Sequence, residues 1–76
     1  MNSQIATDMG LGERRWVASN RSTPEDALKV LADDEDYEVR RRVAFNPSTP
    51  VETLKVLATD ESEYVRRGVA NNPNFK

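Results

Sequence analysis

The chain contains no cysteine and no histidine. Disulfides, iron–sulfur clusters and thiolate or imidazole metal sites are therefore excluded, as is any nucleophile–base pair built on those two residues. It has 3 glycines and no glycine-rich phosphate loop,. Its apolar runs are only a few residues long, too short to span a bilayer,. Residues 1–10 carry neither a basic segment nor an apolar one, so no signal peptide is expected and a cytoplasmic location is,. The formal net charge is −2, from 11 basic and 13 acidic residues. That balance argues against bulk electrostatic binding of nucleic acid. What the chain does have is 32% charged and 37% hydrophobic residues in 76 positions, the make-up of one small helical domain with little interior,.

The organising feature is an internal repeat. Residues 14–39 and 40–65 align without gaps at 16 identical positions of 26 (RRWVASNRSTPEDALKVLADDEDYEV over RRRVAFNPSTPVETLKVLATDESEYV). A third copy opens at Arg66 as RRGVANNPNFK and stops after eleven residues. Val17, Val43 and Val69 share one column; Ala18, Ala44 and Ala70 share another, and Asn20, Asn46 and Asn72 a third. Tandem units of this length mark a solenoid.

Each unit reads as two short helices. The first opens at Ser-Thr-Pro, with Thr49 as N-cap, Pro50 at the first helical position and Glu52 closing a capping box; Thr23, Pro24 and Asp26 repeat the pattern,. Leu28, Leu31 and Ala32 then lie on one face, as do Leu54, Leu57 and Ala58. The second helix follows an acidic turn suited to the positive end of a helix dipole. Val39 with Val43, and Val65 with Val69, form its buried stripe. Asn46-Pro47 and Asn72-Pro73 end it, since a residue before proline is pushed out of the helical region,. The expected fold is all-α: a short right-handed α-solenoid of about two and a half tandem repeats of paired short helices. Residues 1–11 are expected to form a flexible arm, and residues 12–76 the repeat domain, with units 14–39, 40–65 and a partial 66–76. Trp16 is expected to cover the open end of the first unit.

The strings VRRRVAFNPSTPVETLKVLATD and VRRGVANNP resemble the variant leucine-rich repeat, within the wider HEAT-like group of helical repeats. The resemblance implies a right-handed superhelix in which the second helix of each pair tightens toward 3₁₀. It also implies a role in interaction or scaffolding, with no shared catalytic residues. Some relatives carry a cysteine-bearing cluster region, which this sequence lacks. It departs from the pattern at Arg21, where proline is usual, and at Trp16, Arg42 and Gly68, where alanine is preferred. HEAT-like repeats stack an aspartate and an arginine six residues apart as an internal ladder, which would engage Asp34 with Arg40 and Asp60 with Arg66.

Three candidate functions follow. Arg15, Arg41 and Arg67 form a column two residues before the valine of each unit, pointing away from the buried stripe,. Phe45, four residues after Arg41, lies on the same side, with Asn71 at the edge. Arginine and aromatic residues are enriched at interface hot spots, so these five are the candidate partner-binding residues of a small adaptor or inhibitor; the competing reading is a solvated charged face. Backbone binding of nucleic acid by the arginine rows is the alternative. The many carboxylates are explained by capping, so no catalytic, cofactor or metal site is expected. Val65, Val69 and Phe75 are candidates for self-association as a homodimer, because the third unit lacks its Thr-Pro helix and would leave the valine stripe open.

Overall fold

Leucine and valine at helical spacing, cut at 26-residue intervals by Asn-Pro and acidic turns, fold as five short helices among the described residues. The computed structural model describes residues 9–75. The helices are α1 (Leu11–Ser19), α2 (Glu25–Leu31), α3 (Tyr37–Phe45), α4 (Val51–Leu57) and α5 (Glu63–Ala70), followed by a 3₁₀ turn at Pro73–Phe75. No strand occurs among the described residues. α1, α3 and α5 stack side by side, each helix packed chiefly on the next, while α2 and α4 bridge successive members of that stack. The second helices of the repeat are α-helical over their whole length. The tightening toward 3₁₀ implied by the resemblance is not observed there, and the only such turn among the described residues is Pro73–Phe75.

Helices of seven to nine residues are not stable alone in water,. They are held by a shared core of Leu28, Leu31, Leu54 and Leu57 from the bridging helices and Val39, Val43, Val65 and Val69 from the stacked ones. Ala18 and Ala44 are fully buried where one stacked helix meets the next. Gly68 takes this closeness further. A Cβ there would lie 2.8 Å from the Ala44 Cβ, so only glycine lets α5 approach α3 at this distance.

The helix starts depart from expectation in one respect. Thr49 does not cap α4: its hydroxyl donates to the Val43 carbonyl at 2.7 Å, and Thr23 does the same to Val17 at 2.6 Å. The threonine is spent on a carbonyl in the last turn of the preceding helix, one that also accepts from the N–H of the asparagine after the helix. The cap position moves to Pro50, and to Pro24 in the first unit, with no side-chain cap and no capping box. Asp36 does cap α3, accepting from the Val39 N–H at 3.1 Å.

Of the arm expected over residues 1–11, residues 1–8 lie outside the described residues. Met9 packs against the core, and Leu11 already opens α1. Trp16 does not seal the first unit: its side chain is 66% exposed. Its column faces the preceding unit, as Gly68 on Ala44 and Arg42 on Ser19 show, and among the described residues no unit precedes α1.

Candidate functional site

The stack is pinned by two polar ladders that use most of the conspicuous repeat residues. Asn46 is buried, and its amide donates to the Ala18 and Asn20 carbonyls at 2.8 and 2.9 Å. Asn72 repeats this on Ala44 and Asn46 at 2.7 and 2.9 Å. Each asparagine oxygen also accepts from the N–H two residues on, at Ser48 and Asn74. These side chains are cross-links between units, whereas sequence reasoning saw only helix stops in them. The clue was the recurrence of asparagine itself at 20, 46 and 72, since any residue before proline would have ended a helix.

The aspartate–arginine ladder exists in a different register from the one expected. Arg40 meets Asp34 only through the backbone, its Nη1 donating to the Asp34 carbonyl at 2.7 Å. Its carboxylate partner is Asp60, twenty residues on, reached by Nε at 2.8 Å and Nη2 at 3.3 Å. Arg14 likewise pairs with Asp34 at 2.9 Å. Arg66 has the backbone contact alone, to the Asp60 carbonyl, and is exposed. The expected pairing of Arg66 with the Asp60 carboxylate fails because that carboxylate faces the preceding helix and is held by Arg40.

Arg15, Arg41 and Arg67 lie on the outer face of the stack. Arg15 approaches Asp36 at 3.6 Å, Arg41 donates to Glu38 at 2.6 Å, and Arg67 pairs with Glu63 at 2.7 Å. The Arg41 hydrogen bond holds the Glu38 carboxyl below its usual value against an opposing contribution from burial; the nearby charges of Arg41, Arg42 and Arg15 add to the lowering. The same bond raises Arg41. The column is therefore a row of guanidinium groups interleaved with carboxylates. The Phe45 ring, 45% exposed, lies 6.0 Å from the Arg41 guanidinium and beside Gly68. Arg67 stands 6.0 Å over Tyr64. Asn71 is exposed, with its amide bonded back to the Arg67 carbonyl at 2.9 Å. A shallow hollow of about 240 Å³ lies between Ser19, Arg41, Arg42, Phe45, Asn46 and Pro47.

Two aromatic features escaped the sequence reading. Tyr37 and Tyr64 sit with ring centres 5.8 Å apart across the α3–α5 step. They come from different columns of the repeat, so the alignment does not bring them together. More generally, all five aromatic residues of the chain are outside the core, at 39–66% exposure.

The residues expected to drive self-association are not available as a set. Val65 and Val69 are buried in the same core as Leu54 and Leu57, so no open valine stripe remains. Their stripe faces inward across the helix pair and not outward along the stack. Phe75 stays 39% exposed in the 3₁₀ turn, which packs against α4, so it is not the lid expected over the valines.

This architecture defines the protein as a short stack of tandem helical repeats, held by ladders that recur at one period. Residues 37–62 match the family model described as leucine rich repeat variant. The matched segment is one full period, from the start of α3 through the turn after α4. It bears out the resemblance carried by the Val-Ala, Asn-Pro and Thr-Pro motifs. Comparison with curated proteins and with solved structures returned no match.

Proposed function

We propose that this repeat domain is a non-enzymatic protein-interaction module that engages its partner through the outer face of α1, α3 and α5, around Arg15, Arg41, Phe45, Arg67 and Asn71. One observation carries the reading: a chain with so little core leaves every aromatic side chain outside it, and three of the five, Tyr37, Phe45 and Tyr64, lie on α3 and α5. Aromatic and arginine residues supply most hot-spot energy at protein interfaces. Tyr37 and Tyr64 extend the candidate surface. The carboxylates of Asp36, Glu38 and Glu63 beside the arginines favour a protein partner over nucleic acid, because they cancel the field a phosphate backbone needs,. No described helix is long and apolar enough to cross a membrane; a cytoplasmic adaptor or inhibitor suits the composition.

The test is affinity capture from the native source with the wild-type chain and with an Arg41→Glu, Phe45→Ala variant whose helical content is first checked by circular dichroism. The expected outcome is a protein retained by the wild type and lost with the variant. Retention of every captured protein by the folded variant overturns the site. A gel shift at low salt with the wild type, abolished by the same variant, would establish the nucleic-acid alternative instead.

A further inference from the structure

Each step along the stack repeats one set of contacts at 26-residue spacing. When α3 stacks on α1, Ala18 is buried, the Asn46 amide takes the Ala18 and Asn20 carbonyls, and Arg42 reaches Ser19 at 2.9 Å. When α5 stacks on α3, Ala44 is buried, the Asn72 amide takes the Ala44 and Asn46 carbonyls, and Gly68 lies on Ala44.

The two ends of the described stack carry the unmatched halves of this step. On the trailing side Ala70 is exposed, although its counterparts Ala18 and Ala44 are fully buried. Arg66 has no carboxylate partner among the described residues, although Arg14 and Arg40 have Asp34 and Asp60. On the leading side Trp16 is exposed in the column where Arg42 and Gly68 reach onto the preceding helix. The Asn20 amide, counterpart of the Asn46 and Asn72 cross-links, donates to no carbonyl among the described residues. Residues 5–8, Ile-Ala-Thr-Asp, also repeat residues 57–60, Leu-Ala-Thr-Asp, two periods upstream.

We propose that copies of this chain associate head to tail, the α1 face of one copy stacking on the α5 face of another in the register of the internal repeat. The occupant is a second copy because the missing groups match in kind and position: an aromatic for a bare alanine and an amide for two carbonyls. The contact is heterologous, so it extends to longer assemblies instead of closing as a two-fold dimer. An end face one helix pair wide falls at the low end of interface areas, which makes the association weak and concentration-dependent. The faces involved are separate from the Arg41–Phe45 surface.

Static light scattering over rising concentration, from micromolar to millimolar, tests this with wild type, Trp16→Glu and Ala70→Glu. Both positions are exposed, so each variant should keep its helical content, checked by circular dichroism. Wild type should pass twice the chain mass and continue to rise. Each variant alone should remain at the monomer mass. An equimolar mixture of the two should reach the mass of a pair and stop there, because one intact trailing face meets one intact leading face. A wild type that stays monomeric throughout overturns the proposal. So does a mass that levels at the pair, is abolished by Ala70→Glu and is untouched by Trp16→Glu, which is the signature of tail-to-tail pairing.

Discussion

Arg40 and Arg66 hold the same place in the repeat and differ in what lies beyond them. Arg40 is buried between two units, with its Nε and Nη2 on the Asp60 carboxylate and its Nη1 on the Asp34 and Glu35 carbonyls. Removing one partner of such a pair leaves the other desolvated and unpaired, at a cost of about 3–5 kcal/mol. Domains of this size are stable by about 5–15 kcal/mol at most, so Arg40→Ala should lower the melting temperature steeply or unfold the chain. Arg66→Ala, at an exposed position with one backbone contact, should leave melting nearly unchanged. Equal effects of the two substitutions would show that the ladder register is misassigned. Glu38 gives a pH signature. Its pKa in the folded chain lies below its ordinary value of 4.5, chiefly through the Arg41 hydrogen bond. A depressed carboxyl contributes stability that is complete above the unfolded value and is lost as pH falls through the folded one. Glu38→Gln should therefore melt lower than wild type at neutral pH, by about 0.2–0.5 kcal/mol as for other one-turn helix pairs. The gap should close once the wild-type carboxyl is protonated, as thermal melts across an acid titration would reveal.

At the scale of helices, the spacing of α5 from α3 is set by the missing side chain of Gly68. Gly68→Ala places a methyl 2.8 Å from the Ala44 Cβ, 3.2 Å from Phe45 and 3.3 Å from the Arg41 carbonyl. Alanine gains up to about 1 kcal/mol over glycine within a helix, while overpacking a close contact costs about 1–3 kcal/mol. Because Ala44 has no flexible end to yield, the clash should prevail and the melting temperature should fall; a rise would mean that α5 shifts freely. Which helices exist, and which faces they bury, was legible because Leu28, Leu31, Val39 and Val43 recur in the next unit at the same spacing. What the alignment hides is which unit a side chain reaches. Asp34 and Arg40 are near in sequence, yet the carboxylate of Asp34 serves Arg14 and that of Asp60 serves Arg40. The same blindness explains Val65 and Val69: their period places them on one stripe but does not say that the stripe faces α3 and α4 instead of the end of the stack. The outer arginine column was legible as a column, whereas its neutralising carboxylates and the Tyr37–Tyr64 pair arise only when helices are brought side by side. The short match between residues 5–8 and 57–60 also lay within reach of the sequence, and it places repeat sequence inside the expected N-terminal arm.

For the molecule as a whole, stability should behave as a sum over units and the steps between them, not as the property of one closed core. The described stack has two steps, α1 to α3 and α3 to α5, and α3 alone has a stacked neighbour on both sides. Inserting a second copy of residues 37–62 directly after Ser62 adds one full period. Every ladder then continues in register: the added Arg40 takes the added Asp60, the added Asn46 takes the carbonyls of the original Ala44 and Asn46, and Gly68 meets the added Ala44. One unit and one more step are gained while the two end faces stay as they were. The lengthened chain should melt several degrees higher than wild type and show a larger denaturant m-value, because more surface is buried in one cooperative unit. A duplicate shortened by two residues makes the control, since it breaks the alignment of both ladders and should melt below the in-register chain. In a bundle organised around a single core, 26 extra residues between α4 and α5 would be an inserted loop and would lower the melting temperature or leave it unchanged. A full-length duplicate that fails to raise it would therefore reject the additive solenoid account, whatever the helical content of the chain.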